Sequence, residues 1–88
     1  MKGFKVAVTD KLKVSWKKNA KASGYEVYYA TAVDGKYKKL AAFKNNSKTS
    51  CSKALASGTY FVKMRPYVLS GKKKLYGSFT AAKEVAVP

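Results

Sequence analysis

The side chains that ordinarily do chemistry are scarce in this sequence. It has no histidine, so the usual base for activating a serine or cysteine nucleophile is missing. Its four acids, Asp10, Glu26, Asp34 and Glu84, fall on separate stretches, whereas glycoside hydrolysis needs two carboxyl groups across one cleft. Unclustered acids also argue against a calcium site. Cys51 is the only cysteine, which rules out a disulfide within the chain and leaves no zinc cage. No glycine-rich phosphate loop leads into a helix. The expectation is a protein with no catalytic residues, no metal and no cofactor: not an enzyme.

Two features point to binding instead. The stretch Tyr60-Phe61-Val62-Lys63-Met64-Arg65-Pro66-Tyr67 alternates with period two. If Tyr60, Val62 and Met64 face inward, then Phe61, Lys63, Arg65 and Tyr67 face outward. By the same phase Tyr28 joins them from a neighbouring strand. Flat aromatics beside cations suit a sugar, a single-stranded nucleic acid or an acidic partner. Outward aromatics also serve cross-strand packing, and a neighbouring domain could cover them. The second feature is the hairpin tip Ser70-Gly71-Lys72-Lys73-Lys74. Its three lysines form a candidate polyanion loop, although a charge run at a turn is also what solvation alone would favour.

Nineteen basic residues against four acids give a net charge of +15. Such a field attracts polyanions, and the same excess is what a lysine-biased genome would write. Lys11, Lys13 and Lys17 fall on the outer face of one sheet, Lys63 and Arg65 on the other, and Lys72, Lys73 and Lys74 at an end. That spread, with a single arginine, offers little bidentate base readout. Nonspecific, salt-sensitive nucleic-acid binding at low salt is the expectation. Lysines along exposed strands also discourage edge-to-edge pairing, which suits a monomer.

These side chains must be positioned by a small body of strands. The 88 residues, 47% of them hydrophobic, make one domain over residues 1–88. No stretch nears the roughly 20 apolar residues that span a bilayer, and the first ten residues do not read as a signal peptide. The chain is thus either cytoplasmic or a domain from a longer exported protein. Leu12, Val14 and Trp16 share one face of a strand, and Tyr25, Val27 and Tyr29 one face of the next. A weaker strand over 36–43 carries Tyr37, Leu40 and Phe43. The alternating stretch from Tyr60 follows, and a last strand runs from Leu75 to Val87. Further strands near Phe4–Val8 and Thr49–Ser52 bring the number to seven. Asp34-Gly35, Asn45-Asn46-Ser47, Ala56-Ser57-Gly58 and Ser70-Gly71-Lys72 supply the turns. Seven short antiparallel strands with regular turns predict an all-β, immunoglobulin-like sandwich. Trp16, Tyr25, Tyr29 and Tyr60 belong to its core by phase. Cys51 reads as a small buried hydrophobe, or else a surface thiol able to pair between molecules.

Leu12-x-Val14-x-Trp16 followed by Gly24-Tyr25-x-Val27-x-Tyr29 resembles the second and third strands of fibronectin type III domains. Leu55-Ala-Ser-Gly58-Thr59-Tyr60-x-Val62-x-Met64-Arg65-x-Tyr67 resembles that family's turn into its sixth strand, and Tyr76-Gly77-Ser78-Phe79 the start of its last. The resemblance covers nearly the whole chain. It implies a tyrosine corner, in which the Tyr60 hydroxyl bonds back to upstream backbone, and a plug for the base of the core at Leu55. The turn between Leu55 and Tyr60 is about one residue shorter than the family's common pattern and lacks its usual proline. The lysine- and tyrosine-rich character is similar to domains from multidomain surface and secreted proteins of Gram-positive bacteria. By that resemblance the expected function is a noncatalytic extracellular module that spaces or orients neighbouring domains and helps them contact anionic cell-wall polymers or polysaccharide. The alternative expectation is a dedicated carbohydrate or polyanion-binding domain using the aromatic–basic face.

Overall fold

The computed structural model describes residues 2–88; Met1 lies outside the described residues. Eight strands form, and no helix among the described residues. In chain order they are β1 (Lys5–Val8), β2 (Leu12–Ser15), β3 (Gly24–Ala30), β4 (Lys38–Phe43), β5 (Ser50–Lys53), β6 (Gly58–Ser70), β7 (Lys73–Tyr76) and β8 (Lys83–Val87). One antiparallel sheet runs β1-β2-β5, and the other runs β4-β3-β6 with β7 and β8 sharing the far edge of β6.

The alternation dictates what meets between the sheets. Leu12 and Val14 from β2 and Trp16 just beyond it pack against Tyr25 and Val27 of β3 and Val62 and Met64 of β6. Each fully buried aliphatic side chain stabilises the fold by about 1.5–3 kcal/mol relative to exposure. Cys51 lies opposite Val14 in the β2–β5 ladder and is half-buried against this core. Burial pushes its thiol pKa up, and Lys48 and Lys53 only partly offset that, so the thiol is a poor nucleophile.

With no disulfide to fasten the ends, hydroxyl and indole groups do so. The Tyr25 hydroxyl accepts from the Asn19 amide at 2.8 Å and donates to the Asn46 carbonyl at 2.9 Å, which joins the β2–β3 and β4–β5 connections. The Trp16 indole donates to the Lys48 carbonyl at 2.8 Å. Asn45 closes its own turn, its side chain accepting from the Ser47 amide. At the opposite end the Tyr60 hydroxyl donates to the Ala56 carbonyl at 2.7 Å, with Leu55 packed on the core beside it. The 55–60 turn is closed by this bond. Gly58, at φ 151°, provides the backbone conformation there that other residues rarely adopt.

Three details differ from the sequence reading. The final strand is two, because Pro66 has no N–H to donate toward that edge of β6. The Pro66 carbonyl still accepts from Gly77 at 2.8 Å, and chain 77–82 leaves the ladder there. Thr80 patches the gap, its amide donating to the Met64 carbonyl and its hydroxyl accepting from the Met64 amide. Second, Gly35 needs no positive φ. It closes a turn by donating to the Ala32 carbonyl at 3.0 Å, a position where glycine is favoured without strain. The glycine that does use positive φ in a hairpin is Gly71, at 63°, the first central residue of the two-residue β6–β7 loop. Third, Tyr67 is not exposed, because its cross-strand partner is Gly24.

Tyr60→Phe should lower unfolding free energy by about 1–2 kcal/mol, since it strands a partly buried carbonyl. Tyr37→Phe, which removes an exposed bond to the Val33 carbonyl, should cost less than about 0.5 kcal/mol in the same urea titration.

Candidate functional site

The outer face of the larger sheet collects every second residue of β3 and β6. The register sets Gly24 opposite Tyr67, Glu26 opposite Arg65, Tyr28 opposite Lys63 and Ala30 opposite Phe61. The expected face residues Tyr28, Phe61, Lys63, Arg65 and Tyr67 thus do share one surface. Four of them are half-buried, and Tyr67 is only 2% exposed. Glycine is the reason. Without a Cβ at Gly24, the Tyr67 ring lies flat across the strand, and its hydroxyl donates to the Phe43 carbonyl at 3.2 Å. A Cβ at Gly24 would stand 2.1 Å from that carbonyl oxygen and 2.5 Å from the Tyr67 hydroxyl.

At the centre sits Glu26, a carboxylate with no solvent exposure. Its Oε1 accepts from the Tyr28 hydroxyl at 2.8 Å and from Arg65 Nε and Nη2 at 3.2 and 3.1 Å. Its Oε2 lies 3.4 Å from Lys39 Nζ and 3.6 Å from Lys74 Nζ. These are ionic contacts without hydrogen-bond alignment, so Oε2 is satisfied by charge alone. Burial pushes the Glu26 pKa up, but the bonds from Tyr28 and Arg65 and the charges of Lys39 and Arg65 outweigh it and hold the carboxyl below its ordinary value.

Arg65 and Lys74, and the adjacent Lys63, are held in turn by rings. The Arg65 guanidinium stacks 3.6 Å from the centre of Tyr76, with Phe79 at 4.6 Å and Tyr28 at 5.4 Å. Lys63 Nζ stands 4.1 Å from both Tyr37 and Phe79. Lys74 Nζ lies 4.7 Å from the Tyr67 ring. Each such contact contributes roughly 0.5–2 kcal/mol, depending on how dry it is.

The face therefore carries more than alternation within β6 reveals. Tyr76 and Phe79, which remain 46% and 36% exposed, reach it from the last two strands' region, and Tyr37 reaches it from the turn before β4. Glu26 was legible only as one of four scattered acids. Its position two residues before Tyr28, in phase with it, was the available signal. The hairpin lysines separate. Lys72 occupies the turn, Lys73 pairs across from Ser70 at the start of β7, and Lys74 bends back to Glu26. All ion pairs among the described residues converge on Glu26. No group of three or more potential metal ligands occurs among the described residues.

No protein-family profile matches the chain, and no curated protein matches it.

Because the folded-state pKa of Glu26 is depressed, its contribution to stability is fully present above the ordinary value of 4.5 and is lost as pH falls below it. Thermal melts should show the native protein losing its advantage over Glu26→Gln through that acid range. At neutral pH, Arg65→Ala should destabilise by about 3 kcal/mol, since it leaves a buried carboxylate with only two lysines. A melt unchanged by Arg65→Ala would mean the network is dispensable.

Proposed function

We propose that this chain is a noncatalytic module of the fibronectin type III kind that spaces or orients neighbouring domains in a larger surface or secreted protein. The strand order supports the family. An immunoglobulin constant domain places strands one, two, five and four in one sheet and three, six and seven in the other. Here β1, β2 and β5 keep the first grouping, while β4 pairs with β3 in the second sheet. The Tyr60 bond at the entry to β6 is a further point of likeness.

The observation that carries the spacer role is axial. β1 enters where Lys17 donates to the Lys2 carbonyl, and β8 leaves at the opposite end, where Val87 pairs with Gly58. The molecule measures 41 Å along its longest axis, against 24 and 19 Å across, a length to which the β6–β7 hairpin beyond the Gly24–Tyr67 pair contributes. Domains attached at the two ends would be held apart in line. The rigidity comes from the ladders and hydroxyl ties already described.

Two copies joined directly in tandem should give small-angle scattering with a maximum dimension near twice the 41 Å axis. A compact, side-by-side particle would overturn the spacer reading.

A second reading rests on Tyr76 and Phe79, exposed at 46% and 36% beside Arg65. Rings presented next to a cation suit the apolar face of a sugar ring in an acidic polysaccharide. On a glycan array at about 150 mM salt, near physiological ionic strength, binding by this face should fall on Tyr76→Ala and Phe79→Ala. Binding that survives both changes excludes it.

A further inference from the structure

The antiparallel topology sorts the connections into two ends, and the two ends differ in charge. At the end where β1 begins, chain 16–23 brings Lys17, Lys18 and Lys21, and Lys2 lies beside them. The β4–β5 connection adds Lys44 and Lys48, and the β6–β7 turn adds Lys72. All seven are exposed, none is in an ion pair, and these connections contain no acid. At the other end, Asp10 and Asp34 offset Lys11 and Lys36 in the connections 9–11 and 31–37. The lysines, spread along the sequence, are concentrated in space.

The crowded end is also contoured. A hollow of about 440 Å³ is lined by Lys2, Lys17, Lys18, Asn19 and Lys21, and a second, shallower and more open one is bordered by Phe43, Lys44, Asn45 and Lys48. Tyr25 ties the two loops that carry these hollows to each other. Their spacing is therefore fixed by the fold.

We infer that this lysine-rich end is a binding surface for a linear polyanion, a flexible non-aromatic polymer bearing repeated phosphate or carboxylate groups. Lone point charges without an arginine fork suit anionic groups in any orientation. The charges stand on three separate connections, 16–23, 44–49 and the β6–β7 turn, which a single small anion cannot engage together. A polymer laid over both hollows neutralises several at once and releases its condensed counterions. Single-stranded nucleic acid is disfavoured, because it binds through stacking platforms, and the exposed rings Tyr76 and Phe79 belong to the sheet face. This inference rests on the module reading above and names the surface and partner chemistry within it.

The test measures binding of labelled long-chain polyphosphate and labelled polygalacturonate over about 50–200 mM salt, with oligo(dT) as a third arm. Two triple variants each remove three charges from the +15 chain: Lys18→Gln/Lys21→Gln/Lys44→Gln at the crowded end, and Lys11→Gln/Lys36→Gln/Lys53→Gln away from it. All six side chains are exposed, so both proteins should melt like the parent. The first variant should bind about tenfold or more weakly at 100 mM salt, its salt slope flattened by about two, while the second loses less than about threefold. The phosphate and carboxylate arms decide which group the end prefers. Single Lys21→Gln and Lys44→Gln proteins should each shift affinity in the same direction. Equal losses in the two triple variants would reduce the effect to bulk charge and overturn the inference. So would tighter binding to oligo(dT), or no binding to either polymer at 100 mM salt. An extended tandem that fails to bind polymer would leave the spacer role standing, and a collapsed tandem that binds would leave this surface standing.

Discussion

Glu26 is a carboxylate with no solvent exposure in a chain that carries nineteen basic groups and three other acids. A lone buried carboxylate is costly unless partners surround it, and the outer face of the larger sheet is built to surround it. Arg65 and Tyr28 supply the bonds, Lys39 and Lys74 the further charge. Rings then hold two of those cations in place, Tyr76 and Phe79 over Arg65 and Tyr67 beside Lys74, while Tyr37 and Phe79 flank the neighbouring Lys63. Remove the acid, and Arg65, Lys39 and Lys74 would face one another without a counter-charge. The aromatic content of this face follows from that need, because a ring's negative face is the remaining attraction available to a cation in an acid-poor chain.

The same economy governs the loops. A small sandwich without disulfides or metals must fix its connections by other means. Five tyrosines use their hydroxyls within the fold: Tyr25, Tyr37, Tyr60 and Tyr67 donate to backbone carbonyls, and Tyr28 donates to Glu26. In each case the ring contributes area and the hydroxyl closes one bond that water would otherwise make. Trp16 does the same with its indole N–H. Seven tyrosines in 88 residues are thus mostly architectural.

Much of this was legible as alternation. Leu12, Val14 and Trp16, then Tyr25 and Val27, then Tyr60, Val62 and Met64 all lie on the predicted inner faces. What period two cannot supply is the identity of the residue across the ladder. Tyr67 has the outward phase it was expected to have, and is buried because its partner is Gly24. Glu26 is on the surface side of β3 and still dry, because Arg65 stands opposite it, Tyr28, Lys39 and Lys74 converge on its carboxylate, and Tyr76 stacks on Arg65. The split of the last strand did have a local signal in Pro66, whose effect falls on a chain segment eleven residues later through the Gly77 bond. Register turns such local facts into burial, and register is a property of pairs.

Charge shows the same limit more sharply. Along the sequence the lysines recur every few residues, on strands and loops alike. Antiparallel folding assigns alternate connections to opposite ends, so the charge of an end is the sum over every second loop. Chain 16–23, chain 44–49 and the Gly71-Lys72 turn all fall at one end, and the loops with Asp10 and Asp34 at the other. An even distribution in sequence thereby becomes a strong asymmetry in space. The field at the lysine-rich end has no internal counter-charge, since the one fully buried acid is already committed at the centre of the larger sheet. Charges so placed repel one another unless something from outside lies across them, and that makes composition alone an incomplete account of where they stand.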